Sequence, residues 1–102
     1  MRKLPILVTV LTNRFGGCIV GSAADPDNKE PRDWDIVIPW KHWSQATALI
    51  ASGNYKIEAT SLGGWKVDDL YDVWPDDLND LMSRGITDFL YFPSTNKRYK
   101  IA

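Results

Sequence analysis

The amino-acid sequence predicts a small α+β domain, a mixed β-sheet with helices packed on one face. Three observations carry this. Short apolar or alternating runs bounded by glycine, proline or aspartate recur from Cys18 to Phe92. Other segments place apolar residues at helical spacing. The two kinds follow one another in the order α-β-loop-β-α-β-β-β-α-β, without internal repeats. At 102 residues the chain makes one domain. We assign it to residues 1–93, leaving 94–102 as a short basic C-terminal tail with Lys97, Arg98 and Lys100.

The first segment, Pro5 to Arg14, predicts a helix. Pro5 suits a first turn, and Ile6, Leu7, Val10 and Leu11 form one stripe. Val8, Thr9 and Val10 favour a strand on β-propensity. The Phe15-Gly16-Gly17 stop decides for a helix. Cys18-Ile19-Val20 reads as a buried central strand running into a Gly21-Ser22 turn. Residues 23–32 contain two prolines among polar residues and form a surface loop, in which Pro26 limits any helix to a single turn. Trp34 to Pro39 is the second strand.

Lys41 to Ala51 reads as a helix with Trp43, Ala46, Thr47 and Ile50 on one face. Tyr55 to Ala59 alternates as a strand, with Tyr55, Ile57 and Ala59 inward and Lys56 and Glu58 outward. Ser61 to Gly64 is a hairpin turn, Trp65-Lys66-Val67 its returning strand, and Asp68-Asp69 a second tight turn. Leu70 to Trp74 is a strand that Pro75 terminates. Asp76 to Met82 is a short helix with its acidic residues at the favourable end of the dipole. Gly85 stops it, and Asp88 to Phe92 is the last strand.

Composition narrows the functional classes. A net charge of −1 provides no global field for nucleic acid, so only the basic tail could serve such a partner. The lone Cys18 cannot make an internal disulfide and reads as a buried thiol of a cytoplasmic protein. The apolar run near the N-terminus is too short to span a bilayer, so no membrane partner is expected. One histidine and one cysteine fall short of a zinc ligand set.

The chemistry concentrates at Gly21-Ser22, ten residues of loop, and Asp33-Trp34-Asp35. Side chains at i and i+2 of a strand share a face. Asp33 and Asp35 therefore stand together while Trp34 points through the sheet. Two carboxylates so placed repel unless a cation lies between them, and a divalent metal is the usual one. A glycine at the turn lets backbone N–H groups approach an anion closely.

This string resembles the signature of the DNA polymerase beta-like nucleotidyltransferase superfamily: a Gly-Ser turn, about ten residues, then Asp-hydrophobic-Asp-hydrophobic. Its minimal single-domain members are the most similar. The resemblance covers about residues 5–92 and implies a nucleotidyltransferase-like sheet with a third carboxylate on a neighbouring strand. Asp72 fills that place, with Asp68 or Asp69 as the alternative.

The resemblance further implies that Asp33, Asp35 and Asp72 are the catalytic and metal-binding residues, holding Mg²⁺ or Mn²⁺. Gly21 and Ser22 would hold the triphosphate. Lys66, Arg32 or Lys41 would add a cation, and Trp74 would stack on a base. Asp72 on the active face brings the apolar Leu70 and Trp74 to the same face unless the strand twists or bulges. The implied function is transfer of a nucleoside monophosphate from an NTP to a hydroxyl of nucleic acid, protein or a small molecule. A homodimer or partner subunit would complete the exposed half-site. The alternative is a catalytically inactive nucleotide- or protein-binding module that retains the fold. Ala23-Ala24-Asp25 stands where minimal members often carry an arginine, which counts against the protein-adenylylating antitoxins among them.

Overall fold

The first helix, α1 (Ile6–Phe15), begins after Pro5, whose φ of −57° is already helical, and ends at Gly16 in the left-handed region at φ 65°. Its buried face is Leu7, Val8, Leu11, Thr12 and Phe15. The expected stripe is rotated: Ile6 is 82% exposed and Val8 fully buried. The buried Thr12 hydroxyl donates back to the Val8 carbonyl at 2.8 Å, which lets a polar residue sit in this face. This computed structural model describes residues 3–61, 63–84 and 89–100. Gly85 and Asp88 lie outside them.

After α1 come β1 (Cys18–Val20), a single 3₁₀ turn at Gly21–Ala24, β2 (Trp34–Pro39) and α2 (Trp40–Ser52). Strands β3 (Ile57–Ala59), β4 (Trp65–Val67) and β5 (Tyr71–Asp76) follow. The chain closes with α3 (Leu78–Arg84), β6 (Phe89–Phe92) and β7 (Lys97–Lys100). The seven strands among the described residues form one mixed sheet in the order β3-β4-β5-β2-β1-β6-β7. β2 and β5 pair in parallel; the other neighbours are antiparallel.

The sheet has two covered faces. On one, Trp34, Ile36 and Ile38 of β2 and Ile19 of β1 pack with α1, and with Ala46 and Ile50 of α2. On the other, Cys18, Val20 and Val37 meet Leu81 of α3 and Leu90 of β6, with Leu78 and Trp74 at the margin. The expectation of helices on one face is therefore corrected. α3 lies opposite α1 and α2, because the even-numbered positions of β1 and the odd ones of β2 are also apolar near the strand ends. Asp77 caps α3, its carboxylate accepting from the Asn79 and Asp80 N–H groups at 2.8 and 3.3 Å.

Three further readings change. Pro75 does not end β5, which continues to Asp76 with Pro75 opposite Ile38. β4 flanks β5 only as far as Val73, so Pro75 lies where β5 has become an edge and needs no donor on that side. Ile57 and Ala59 are exposed rather than inward, because β3 is the outermost strand. The basic segment read as a tail supplies β7, which pairs with β6 over Phe89↔Lys100 to Phe92↔Lys97.

Burial pushes the Cys18 thiol up to about 12, so it is the inert core residue the sequence implied. No helix among the described residues is long and apolar enough to cross a membrane.

Candidate functional site

The centre of the sheet brings the acidic residues together. β2 and β5 run parallel in a register that sets Asp35 beside Asp72, and β4 sets Lys66 on the other side of Asp72. Residues in register on adjacent strands share a face, so Asp35, Asp72 and Lys66 form one row. Asp33 stands on the same face at the entrance to β2. The Lys66 ammonium donates to Asp72 Oδ2 at 3.2 Å and lies 3.8 Å from Asp33 Oδ1. Trp34, between the two aspartates, is buried in the opposite core.

Leu70 does not follow Asp72 onto this face. The turn at Asp68 and Asp69, with φ of 51° and 54°, starts β5 only at Tyr71 and tucks Leu70 against the α1–α2 core. Asp68 and Asp69 are occupied there. The Asp68 carboxylate accepts from the Lys56 N–H at 2.8 Å, and Asp69 accepts from the Lys56 ammonium at 3.0 Å. Trp74 does share the face of Asp72. Together with Asp35, Asp72, Thr60, Ser61 and Trp65 it lines a cavity of about 350 Å³.

Gly21 abuts this row, one residue past Val20, which pairs with Asp35 in the β1–β2 ladder. It adopts φ 70°, and a Cβ there would lie 2.9 Å from Asp35 Oδ2. A side chain there would strain the turn at this φ and displace the Asp35 carboxylate, so glycine suits both the backbone and the site. Ser22 is exposed at the start of the 3₁₀ turn, and its carbonyl accepts from the Asp25 N–H and the Asn28 amide.

Arg32 and Lys41 are exposed and outside the row. His42 lies on α2, 6.3 Å from the Phe15 ring across the covered face.

The sequence reading missed Thr60, Ser61 and Gly64. No local pattern announces them: the turn leading into the Lys66 strand folds over Val73 and Trp74, a contact set by strand pairing. Gly64 allows this close approach.

The charges are unbalanced. Burial pushes the Asp35 carboxyl above its ordinary value, the nearby Asp72 and Asp33 charges push it further, and Lys66 only partly opposes them. A raised acid holds its proton in the folded state at pH values where the unfolded chain has lost it. Stability therefore falls as pH rises from the ordinary aspartate value of about 4 through the raised one. Asp35→Asn should flatten this decline and melt a few degrees above wild type at neutral pH. Thermal melts of both proteins from about pH 4 to about pH 7 would check it. A variant that melts lower throughout would make Asp35 a structural hydrogen-bond acceptor instead.

The donor set also bears on a metal. Among the described residues, no group of three or more histidine, cysteine, aspartate or glutamate side chains is placed to hold a metal ion. The cation that approaches Asp33 and Asp72 is the ammonium of Lys66. Compared with known proteins, the chain matches no family model, no curated sequence and no solved structure.

Proposed function

We propose that this chain is a catalytically inactive binding module built on a nucleotidyltransferase-like sheet, its carboxylates partly neutralised by a lysine of its own. The observation that carries the reading is the Lys66 ammonium, within 3.2 Å of Asp72 and 3.8 Å of Asp33. Three carboxylates and one ammonium leave the row net negative, which repels a bare polyphosphate. A cavity with carboxylates beside the Trp74 indole suits a cationic side chain from a protein partner, through charge and cation–π attraction.

Metal-dependent transfer of a nucleoside monophosphate from an NTP to a hydroxyl, in a cytoplasmic setting, is the second reading. The register that sets Asp35 beside Asp72, next to Gly21, favours it. It requires Lys66 to give way to Mg²⁺ or Mn²⁺.

One experiment separates them. Each α-labelled ribonucleotide is incubated with the chain, Mg²⁺ or Mn²⁺, and RNA, DNA or native cell extract, with Asp35→Asn as control. The binding reading expects no label transfer in any combination. It also expects that an arginine-containing peptide shifts the Trp74 indole resonance and that ATP without metal does not. Label transferred by wild type and lost in Asp35→Asn would overturn it in favour of the enzyme.

A further inference from the structure

We infer that β3 is an edge through which two copies of this chain pair, antiparallel and two-fold symmetric about Ile57. Among the described residues β3 ends the sheet and is partnered on one side only, by β4. The ladder between them alternates. The Lys56 carbonyl accepts from the Asp68 N–H at 2.8 Å, and the Thr60 N–H donates to the Gly64 carbonyl at 2.9 Å. Positions 56, 58 and 60 thus direct their backbone groups to β4, and those of Ile57 and Ala59 point out of the sheet. Every β3 side chain is exposed, and Ile57 is one of three large apolar residues on the described surface. An open edge with outward N–H and C=O groups is a template for another strand.

The side chains select a second copy as that strand. In an antiparallel pair centred on Ile57, the two Ile57 residues exchange both backbone hydrogen bonds. Lys56 of each copy then stands opposite Glu58 of the other, twice by symmetry. These charge pairs fall at the positions without exchanged backbone bonds, where side chains approach most closely. Tyr55 of each copy meets Ala59 of the other, large against small.

Within one chain the Lys56 ammonium already lies 3.3 Å from Glu58 and 3.0 Å from Asp69, both exposed. Pairing therefore trades solvent-exposed contacts for interchain ones at little cost. The opposite edge behaves differently. β7 carries Lys97, Arg98 and Lys100 and no acid, so two copies meeting there would oppose like charges. The pairing is isologous and closes after two copies. With about five residues per chain in the seam, it is smaller than the ~1,200 Å² of stable interfaces, and the dimer is transient.

The test is sedimentation velocity of the full chain from micromolar to millimolar concentration, with amide hydrogen exchange on the same samples. A dimer that grows with concentration is expected, with the Ile57 and Ala59 amides protected in proportion. Glu58→Lys alone and Lys56→Glu alone place like charges across the seam, and each should weaken association roughly tenfold. An equimolar mixture of these two variants restores opposite charges at both positions, and should associate as wild type does. Both substitutions are on exposed side chains, and circular dichroism of each variant is the check that it folds. The proposal is overturned if wild type stays monomeric throughout. A dimer that leaves the Ile57 amide at its monomer exchange rate, or a mixture no better than either variant, overturns it equally.

Discussion

Gly64→Ala is expected to destabilise the domain by about 3 kcal/mol, the upper end of ordinary overpacking costs. An added Cβ would lie 2.4 Å from the Val73 carbonyl oxygen, 2.5 Å from Trp74 Cβ and 2.9 Å from Trp74 Cα. Two of those three atoms are backbone in a strand that is paired on both sides at Val73, and neither can rotate away. The β3–β4 turn would have to lift instead. That breaks the bonds closing it, from the Thr60 N–H to the Gly64 carbonyl and from the Gly64 N–H to the Thr60 hydroxyl. For a domain of this size the melting temperature should fall by at least about 12 °C. The lifted turn also removes Thr60 and Ser61 from the wall of the cavity over Asp35 and Asp72. Gly63→Ala is the control. Gly63 has a φ of 79° but nothing within 4 Å of its Cβ position, so it suffers only the backbone strain, about 1–2 kcal/mol. Equal losses in the two variants would show that the close approach at Gly64 carries no special weight.

What could be read from the sequence was local. Trp34 to Pro39 begins after an aspartate and reaches a proline, which marks its limits, and the opposed directions of Trp34 and Asp35 follow from period two. Ile36, Val37 and Ile38 are nonetheless all buried, because both faces of the strand are covered there. Gly16 ends α1 because only its left-handed conformation closes the last turn. The errors arose where the neighbour decides. Pro75 looks like a terminator unless β4 is known to stop at Val73. Ile57 looks like core unless β3 is known to be an edge. Lys97 to Lys100 has a tail's composition and becomes a strand because β6 offers a free edge. The candidate site shows the same division. Spacing alone put Asp33 and Asp35 on one face. That Asp72 stands in register with Asp35, and that Lys66 rather than Arg32 or Lys41 reaches the carboxylates, depends on strand pairing across the sheet.

Lys66→Met should lower stability by about 1–2 kcal/mol at neutral pH, the cost of withdrawing a charged hydrogen-bond partner from a half-buried carboxylate. The Lys66 and Asp72 side chains are 27% and 32% exposed, so solvent screens the pair only in part. The loss should depend on pH at both ends. The hydrogen bond to Asp72 raises the Lys66 ammonium above its ordinary 10.5. Its contribution is therefore complete below that value and disappears as pH rises through the raised one. At the acid end Asp35, held above its ordinary value by burial and its acidic neighbours, takes up its proton and leaves the ammonium less charge to neutralise. Urea midpoints of wild type and Lys66→Met, measured against pH, should separate most near neutrality and converge at both extremes. Asp35→Asn should reduce the loss, because one fewer carboxylate remains to repel and the two changes are then less than additive. The same variant tests what the lysine stands for. If Lys66 takes the place of a cofactor cation, millimolar Mg²⁺ should restore part of the stability of Lys66→Met by binding the vacated carboxylates, and should leave wild type unchanged. A wild type stabilised by Mg²⁺ as strongly as the variant would mean that the carboxylates accept the metal with the lysine still present. The balance between the two functional readings would then move to the enzyme.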